Sequence, residues 1–225
     1  MDPDRERILA QYARAEHQLR DWLAQASPSD LGRRSKGTRW NNEELLFHMV
    51  FGYMVARALL PLHRVLSRLP TPVSAGFAAA LDAASVPFDA VNYWGSKAAA
   101  RFYNRHRMAA RLHRVLAVLG RKLESESPAA LSRAMPFPTR WDPFFTRAMT
   151  LAQLYAYPTE HFDFHAGQLD LPRGPDRLSR RAVGPAPRAG TRIFLSPPDT
   201  KRPPAGTFGC TPGGWPLLVA VAPQT

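Results

Sequence analysis

Two histidines in the second half of the sequence have a spacing typical of metal ligands. His161 and His165 are four residues apart in the segment YPTEHFDFHAGQL. On a helix, this spacing places both imidazoles on one face, within reach of a common ion. The segment lacks the HExxH signature of zinc proteases. The pair alone therefore fits a metal site and two ordinary hydrogen-bonded residues equally well.

A third histidine, His48, lies inside the very apolar segment LLFHMVF. An unpaired imidazole there would cost free energy because it is removed from water. A single core histidine is more often a hydrogen-bonded structural residue than a ligand. In a helical bundle, however, its helix can pack against the helix of His161 and His165. Three neutral imidazoles with an open fourth position are typical of a catalytic Zn²⁺ or Ni²⁺ site. The remaining histidines have no matched partners and are predicted to be surface residues: His17, His63, His106 and His113.

The elements that must position these residues are helices. Apolar side chains recur at helical spacing in four long segments, at about 4–26, 42–69, 92–125 and 143–169. Pro158 predicts a kink in the last helix, and a proline-bracketed apolar stretch at 74–86 predicts a short extra helix. No alternating strand pattern of useful length precedes residue 190. The sequence therefore predicts an all-α domain at 1–171.

The composition changes after residue 171 to a mixture dense in Pro, Gly and Arg, without a helical period. Such a segment buries too little apolar surface to offset its chain entropy. We therefore predict an irregular, largely disordered C-terminal tail at 172–225. The formal net charge is +12. No helix-turn-helix, zinc-finger or aromatic-basic pattern accompanies this charge, so no nucleic-acid partner is predicted.

Three features bear on the compartment. The first residues contain no apolar signal-peptide stretch. The single cysteine, Cys210, permits no internal disulfide, which fits a reducing environment. The apolar segment 45–62 is interrupted by His48 and Arg57, which favours a buried helix over a membrane span. We therefore expect a cytoplasmic protein without a membrane span.

Two short motifs in this order resemble the DinB-like superfamily, also called DinB/YfiT-like. The first is WNNEELLFH, from Trp40 to His48, and the second, about 110 residues later, is HFDFHAGQL. The family pattern has a tryptophan shortly before the second helix, a histidine inside that helix, and HxxxHxxQL on the last core helix. The matching residues are His48, His161, His165, Gln168 and Leu169. The resemblance covers about residues 1–171.

The resemblance implies a four-helix bundle with up-down-down-up topology, in which the three histidines bind nickel or zinc. Many members of this superfamily are thiol-dependent transferases or isomerases that use bacillithiol, mycothiol or glutathione. We therefore expect a divalent-metal-dependent S-transferase or isomerase of detoxification or stress response, with a small-molecule substrate and a low-molecular-weight thiol. Two alternatives stay open: a metal-activated hydrolase of a reactive compound, and a non-catalytic metal-binding bundle. Bundles of this kind often pair, so a homodimer is a further expectation.

Four more residues are candidates for supporting roles. Glu44 lies one turn before His48 and could orient its imidazole. Tyr53 and Arg57 lie one and two turns beyond His48 and could face the same cavity. Arg57 would suit a carboxylate-bearing thiol or substrate, and fits a salt bridge to a neighbouring helix equally well. Gln168 could contact substrate or hydrogen-bond within the bundle.

Overall fold

The computed structural model of the chain describes residues 3–172, which form eight helices and two short strands. In chain order the elements are α1 (Pro3–Gln25), α2 (Pro28–Gly32), α3 (Asn42–Leu66), α4 (Thr71–Ala83), α5 (Ser85–Phe102), α6 (Met108–Ser125), α7 (Pro128–Leu131), β1 (Ala134–Pro136), β2 (Ala148–Thr150) and α8 (Leu151–Ala166). The strands pair antiparallel, with Met135 opposite Met149. The all-α prediction is confirmed. The predicted tail at 172–225 lies, apart from Pro172, outside the described residues.

The four long helices α1, α3, α6 and α8 pack around one apolar core. Each of them contacts two of the others: α3 packs against α6 and α8, and α1 packs against the same two helices. Helix α6 shows why these helices pack together: its buried side chains recur every three to four residues and so form one apolar face. They are Met108, Leu112, Val115, Leu116, Leu119 and Leu123.

Two of the predicted helices have the wrong bounds. The helix expected at about 92–125 is two helices, α5 and α6, because the intervening turn is fixed by tertiary contacts. There the backbone N–H of Arg105 donates to Glu43 Oε1 at 2.9 Å, and its guanidinium donates to the carbonyl of Leu23 at 3.2 Å. The last helix begins at Leu151 rather than near residue 143, because Thr150 caps it by accepting from the N–H of Gln153 at 3.1 Å.

Helix α3 is the central element of the described part of the chain. It contacts α5 as well as α6 and α8. Among residues 3–172 it is also the one helix long and apolar enough to span a membrane by length and composition, with a mean hydropathy of 1.6. In the fold, 61% of the most apolar 18-residue stretch of this helix is buried inside the protein. Its apolar surface therefore serves the core.

Helix α5 has its polar face inward. Its buried residues are Ser85, Asp89, Asn92, Ser96 and Ala100. Its outer face carries apolar side chains that are largely exposed: Val86, Val91, Trp94 and Phe102. This arrangement is the reverse of the usual amphipathic helix. The inner, polar face of α5 packs against α3, the helix that carries His48.

Candidate metal centre

The three predicted ligand histidines meet between α3 and α8. Helix α3 begins in a capping box, in which Asn41 Oδ1 accepts from the N–H of Glu44 at 2.8 Å and Glu44 Oε2 accepts from the N–H of Asn41 at 3.1 Å. This start fixes the register of α3 and turns His48 toward α8. On α8, His161 and His165 are both buried on the face that α3 covers.

One nitrogen from each imidazole lies within 4.8 Å of the other two. The ring centroids are 4.9 Å apart for His48 and His161, 4.8 Å for His48 and His165, and 4.5 Å for His161 and His165. No more than 3% of any of these three side chains is exposed. Zinc and nickel bind imidazole nitrogen at about 2 Å, so the three rings are within reach of a single ion.

All three imidazoles are in the state that a metal ion requires. Burial lowers the pKa of His48 well below its ordinary value, and lowers the pKa of His161 and of His165 to about 3. Each ring is therefore neutral at pH 7 and keeps a lone pair free for coordination. The buried Nε2 of His48 and Nδ1 of His161 have no hydrogen-bond partner among residues 3–172. An unsatisfied buried polar atom costs about 1–3 kcal/mol, and a bound ion at this site would account for such atoms.

Two hydrogen bonds orient the rings. The Nδ1 of His165 lies 2.6 Å from Gln168 Oε1, and because a carbonyl oxygen only accepts, Nδ1 carries the hydrogen and Nε2 carries the lone pair. The Nδ1 of His48 lies 3.4 Å from Ser96 Oγ on α5. Metal-bound histidines are typically held in this way through their second nitrogen. Trp40 supports His48 from one side, with its ring stacked at 4.4 Å between centroids.

Gly52 allows α3 to approach His161 closely. A Cβ built at this position would lie 2.7 Å from His161 Nδ1 and 3.2 Å from its Cε1. The first distance is shorter than real Cβ contacts and the second is tighter than most, so a side chain at position 52 would displace the imidazole of His161. Glycine at position 52 is thus required for the observed position of His161, one of the three candidate ligands.

A buried carboxyl group, Asp142, lies beside the three histidines. It is 1% exposed, and its Oδ2 is 3.8 Å from His161 Nε2. Its Oδ2 accepts from the hydroxyl of Tyr157 at 2.8 Å, and its Oδ1 accepts from the N–H of Phe144 at 2.9 Å. Desolvation raises the pKa of Asp142 to about 6, although both hydrogen bonds act to lower it.

Sequence reasoning missed Asp142. It lies in the connection between β1 and β2, where no periodic pattern marks it. The signal that could have found it is a single acid inside the aromatic stretch WDPFF, because a charge surrounded by apolar neighbours is usually either exposed or functional.

A cavity opens next to His48 and His161. Its polar lining also includes Asp142 and the buried Tyr157. The remaining wall is apolar and mostly aromatic: Phe51, Gly52, Val55, Phe88, Trp141 and Phe145. Two of these rings, Phe88 and Trp141, stack on one another with centroids 3.9 Å apart. The cavity thus combines a polar end at the histidines with an apolar body.

None of the four predicted supporting residues lines this cavity. The carboxylate of Glu44 is held by the N–H of Asn41, with Lys97 Nζ at 3.8 Å. The hydroxyl of Tyr53 is buried and lies 3.1 Å from Thr159 Oγ1. Arg57 is exposed, because nine residues beyond His48 correspond to about 180° around the helix. Gln168 Oε1 lies 2.6 Å from His165 Nδ1, a contact within the helical domain.

One prediction about the other histidines was wrong. His63 is not a surface residue: it is 1% exposed, and its Nε2 donates to the carbonyl of Met149 at 3.0 Å. It lies on the core face of α3, far along the helix from His48, and bonds to β2 through Nε2 only, since its Nδ1 has no hydrogen-bond partner among residues 3–172. The other three are exposed, as predicted: His17, His106 and His113.

Comparison with known families agrees with the geometry. The sequence profile of the DinB superfamily matches residues 11–169, a range that contains all three clustered histidines and Gln168. No match was found among curated proteins or among solved structures. The profile match covers well over half of the chain, and the chain belongs to the DinB superfamily.

Proposed function

We propose that this protein is a divalent-metal-dependent enzyme that joins a low-molecular-weight thiol to a small electrophilic substrate, or isomerises a substrate with its help. The observation that carries the proposal is the set of three buried, neutral imidazoles with nitrogens within 4.8 Å of one another. Zinc or nickel is the ion that such a donor set favours. We also infer that the four long helices have the up-down-down-up order of the superfamily.

The roles of individual residues follow from their contacts. His48, His161 and His165 would hold the ion, and Gln168 would keep Nε2 of His165 directed at it. What a divalent ion supplies there is positive charge that keeps a bound thiol deprotonated at neutral pH. The aromatic wall of the cavity would shield the ion from bulk water.

A metal-activated hydrolase is the second candidate, and Asp142 is the observation that favours it. Its carboxyl group lines the same cavity, 3.8 Å from His161 Nε2. A carboxyl group with a pKa near 6 is suited to accept a proton from an attacking water at neutral pH.

Metal content is the first test. Elemental mass spectrometry on the purified protein should give about one equivalent of zinc or nickel, and the ion should be lost in His48→Ala and in His161→Ala. His113→Ala is the matched control, because this histidine is exposed and should leave the metal content unchanged. No metal in the wild-type protein, even after reconstitution, would reduce the chain to a non-catalytic helical bundle.

The metal-loaded protein then separates the two reactions. A chlorinated aromatic electrophile should be consumed only when a thiol is present if the protein is a transferase. An activated ester should be cleaved without any thiol if it is a hydrolase. Inertness towards both, in protein that holds its full equivalent of metal, would contradict both catalytic proposals.

A further inference from the structure

The outer surface of α4 and α5 is almost free of polar side chains. Every exposed position between residues 69 and 100 is uncharged, and only Thr71 among them has a polar side chain. The largest of these exposed side chains are Leu69, Val73, Val86, Val91 and Trp94. A large exposed apolar surface is rare on a soluble monomer and usually marks a site that contacts a partner or a membrane.

One stripe of this surface runs along α5. Val91, Trp94, Ala98 and Phe102 recur at intervals of three or four residues and therefore share one face of the helix. The exposed fractions are 67% for Val91, 65% for Trp94 and 58% for Phe102. The opposite face of α5 is the buried polar one. The helix thus packs on the protein through its polar side, and the α5 stripe (these four residues) faces outward.

The exposed charges next to the α5 stripe are positive. Arg101 and Arg107 are both exposed, and the guanidinium of Arg107 lies 4.9 Å from the centre of the Phe102 ring. Neither arginine pairs with a carboxylate within the described part of the chain. The acids between residues 69 and 107 are Asp82 and Asp89. Asp82 accepts a backbone hydrogen bond at 2.9 Å, and Asp89 is 8% exposed, so neither offers a free carboxylate at the stripe.

This charge decides between two partners that an apolar stripe could have. In a two-fold dimer the same stripe lies on both sides of the contact, so the dimer would gather Arg101 and Arg107 of both copies without a carboxylate to neutralise them. Like charges in a contact lower the affinity. Anionic lipid headgroups instead supply the missing negative charge, which raises the affinity about fivefold per arginine. Aromatic residues on an apolar face beside arginines are also typical of helices that lie in the membrane interface.

We propose that the α5 stripe docks on the surface of a lipid bilayer with anionic headgroups. The rings of Trp94 and Phe102 would enter the boundary between headgroups and acyl chains, and Arg101 and Arg107 would contact lipid phosphate. The helix would lie on the membrane instead of crossing it, because its inner face packs on α3. The inference does not depend on the metal chemistry proposed above.

Sedimentation with lipid vesicles measures this binding. Full-length protein is mixed with vesicles of phosphatidylcholine alone, or of phosphatidylcholine with phosphatidylglycerol. We expect binding to the anionic vesicles that weakens as salt is added. Binding to the neutral vesicles should be about 25-fold weaker, since two arginines contribute about fivefold each. Equal binding to both kinds of vesicle, or binding to neither, would overturn the proposal.

Two aromatic variants test whether the stripe makes the contact. Trp94→Ala should weaken binding to anionic vesicles about tenfold, because a large apolar side chain no longer leaves water. Phe164→Ala is the matched control, since it removes an exposed aromatic ring from α8, and it should bind as the wild-type protein does. Equal affinities of Trp94→Ala and the wild-type protein would overturn the proposal.

Two double variants separate a local contact from attraction by the net charge of +12. Arg101→Ala/Arg107→Ala should remove the preference for anionic vesicles. Arg114→Ala/Arg121→Ala changes the net charge equally at exposed positions of α6 and should keep the preference. Equal losses in the two double variants would mean that net charge alone attracts the protein, and would overturn the proposal.

A dye on the stripe identifies any other partner. An environment-sensitive dye on Ala98→Cys, in a Cys210→Ser background, should be accessible to a water-soluble quencher in the free protein. On anionic vesicles it should become shielded and shift to the blue, whereas the same dye on Arg114→Cys should change little. Shielding without vesicles would overturn the proposal, in favour of a second copy if it is lost on dilution and of residues 173–225 of the same chain if it is not.

Discussion

Replacing Gly52 by alanine tests whether the spacing of α3 and α8 sets the geometry of the metal centre. The added Cβ would lie 2.7 Å from His161 Nδ1, and ordinary contact begins at 3.4 Å, so the imidazole must retreat by about 0.7 Å (3.4 − 2.7). Metal ligands tolerate only about 0.2 Å of displacement. We therefore expect Gly52→Ala to weaken metal binding by roughly 100-fold or more, the upper end of the effect of disturbing a ligand's support.

Stability should respond differently from metal affinity. Alanine in a helix interior is favoured over glycine by about 1 kcal/mol, whereas overpacking a core costs about 1–3 kcal/mol. The metal-free Gly52→Ala protein should thus lose roughly 0–2 kcal/mol of its free energy of unfolding. Gly95→Ala is the matched control: apart from its own helix backbone and chain neighbours, no atom of the described residues lies within 4 Å of its built Cβ, so it should gain stability and bind metal normally.

Zinc titration against a competing chelator measures the affinity, and urea unfolding with chelator present measures the stability. A folded Gly52→Ala variant that binds zinc as tightly as the wild-type protein would refute the assigned contact between Gly52 and His161. The double variant Gly52→Ala/His161→Ala covers the case in which the single variant unfolds. Removing the imidazole removes the clash, so the double variant should recover the stability that Gly52→Ala loses.

Three further predictions concern the residues around the centre. Gln168→Leu removes the acceptor of His165 Nδ1 and should weaken zinc binding about 10- to 100-fold. Gln168→Glu keeps an acceptor and should keep the wild-type zinc affinity. Equal losses of affinity in both variants would contradict the orienting role of Gln168. His63→Ala should leave the metal content at the wild-type value, because His63 bonds to Met149 on β2; lost metal would contradict a purely structural role. Burial lowers the pKa of His161 and His165 from 6.5 to about 3, so the unfolded chain takes up protons first as the pH falls, and the metal-free protein loses stability progressively between about pH 7 and pH 3. From pH 7 to pH 5 we expect the free energy of unfolding to fall by roughly 2 kcal/mol per histidine. The raised pKa of Asp142 acts in the opposite direction and offsets roughly 1 kcal/mol of this loss. Urea unfolding at the two pH values with chelator present measures the change, and unchanged stability would contradict the burial of neutral imidazoles.

The sequence was sufficient to predict the features that follow from local spacing. The four-residue interval between His161 and His165 places both side chains on one face of a helix. Together with His48, which the sequence places in an apolar segment, they form one buried cluster in the structure. Helix α1 was predicted within one residue at each end. The break between α5 and α6 was not predicted, since contacts from Arg105 to Glu43 and Leu23 stabilise it across the fold.

The features that could not be predicted from the sequence depend on which other elements a loop or a helix face contacts in the fold. Asp142 reaches His161 only because the connection between β1 and β2 folds back over the cavity. Arg57 was placed near the cavity by counting turns, but its angular position on α3 directs it to solvent. Pattern rules assume that apolar residues face inward, and α5 violates this rule along its length.

Several of these violations lie at or near the metal centre, and others, such as His63 Nδ1, lie elsewhere. Two imidazole nitrogens of the centre and both polar atoms of Asn92 are buried without a hydrogen-bond partner among residues 3–172, and Asp142 is a carboxyl group with 1% exposure. Each such group lowers the stability of the ligand-free protein, and sequences depart from local consistency mainly where function requires it. A ligand that binds only the folded state raises its stability by RT ln(1 + [L]/Kd). Metal should therefore stabilise this protein strongly, because the ion would satisfy unpaired imidazole nitrogens of the centre.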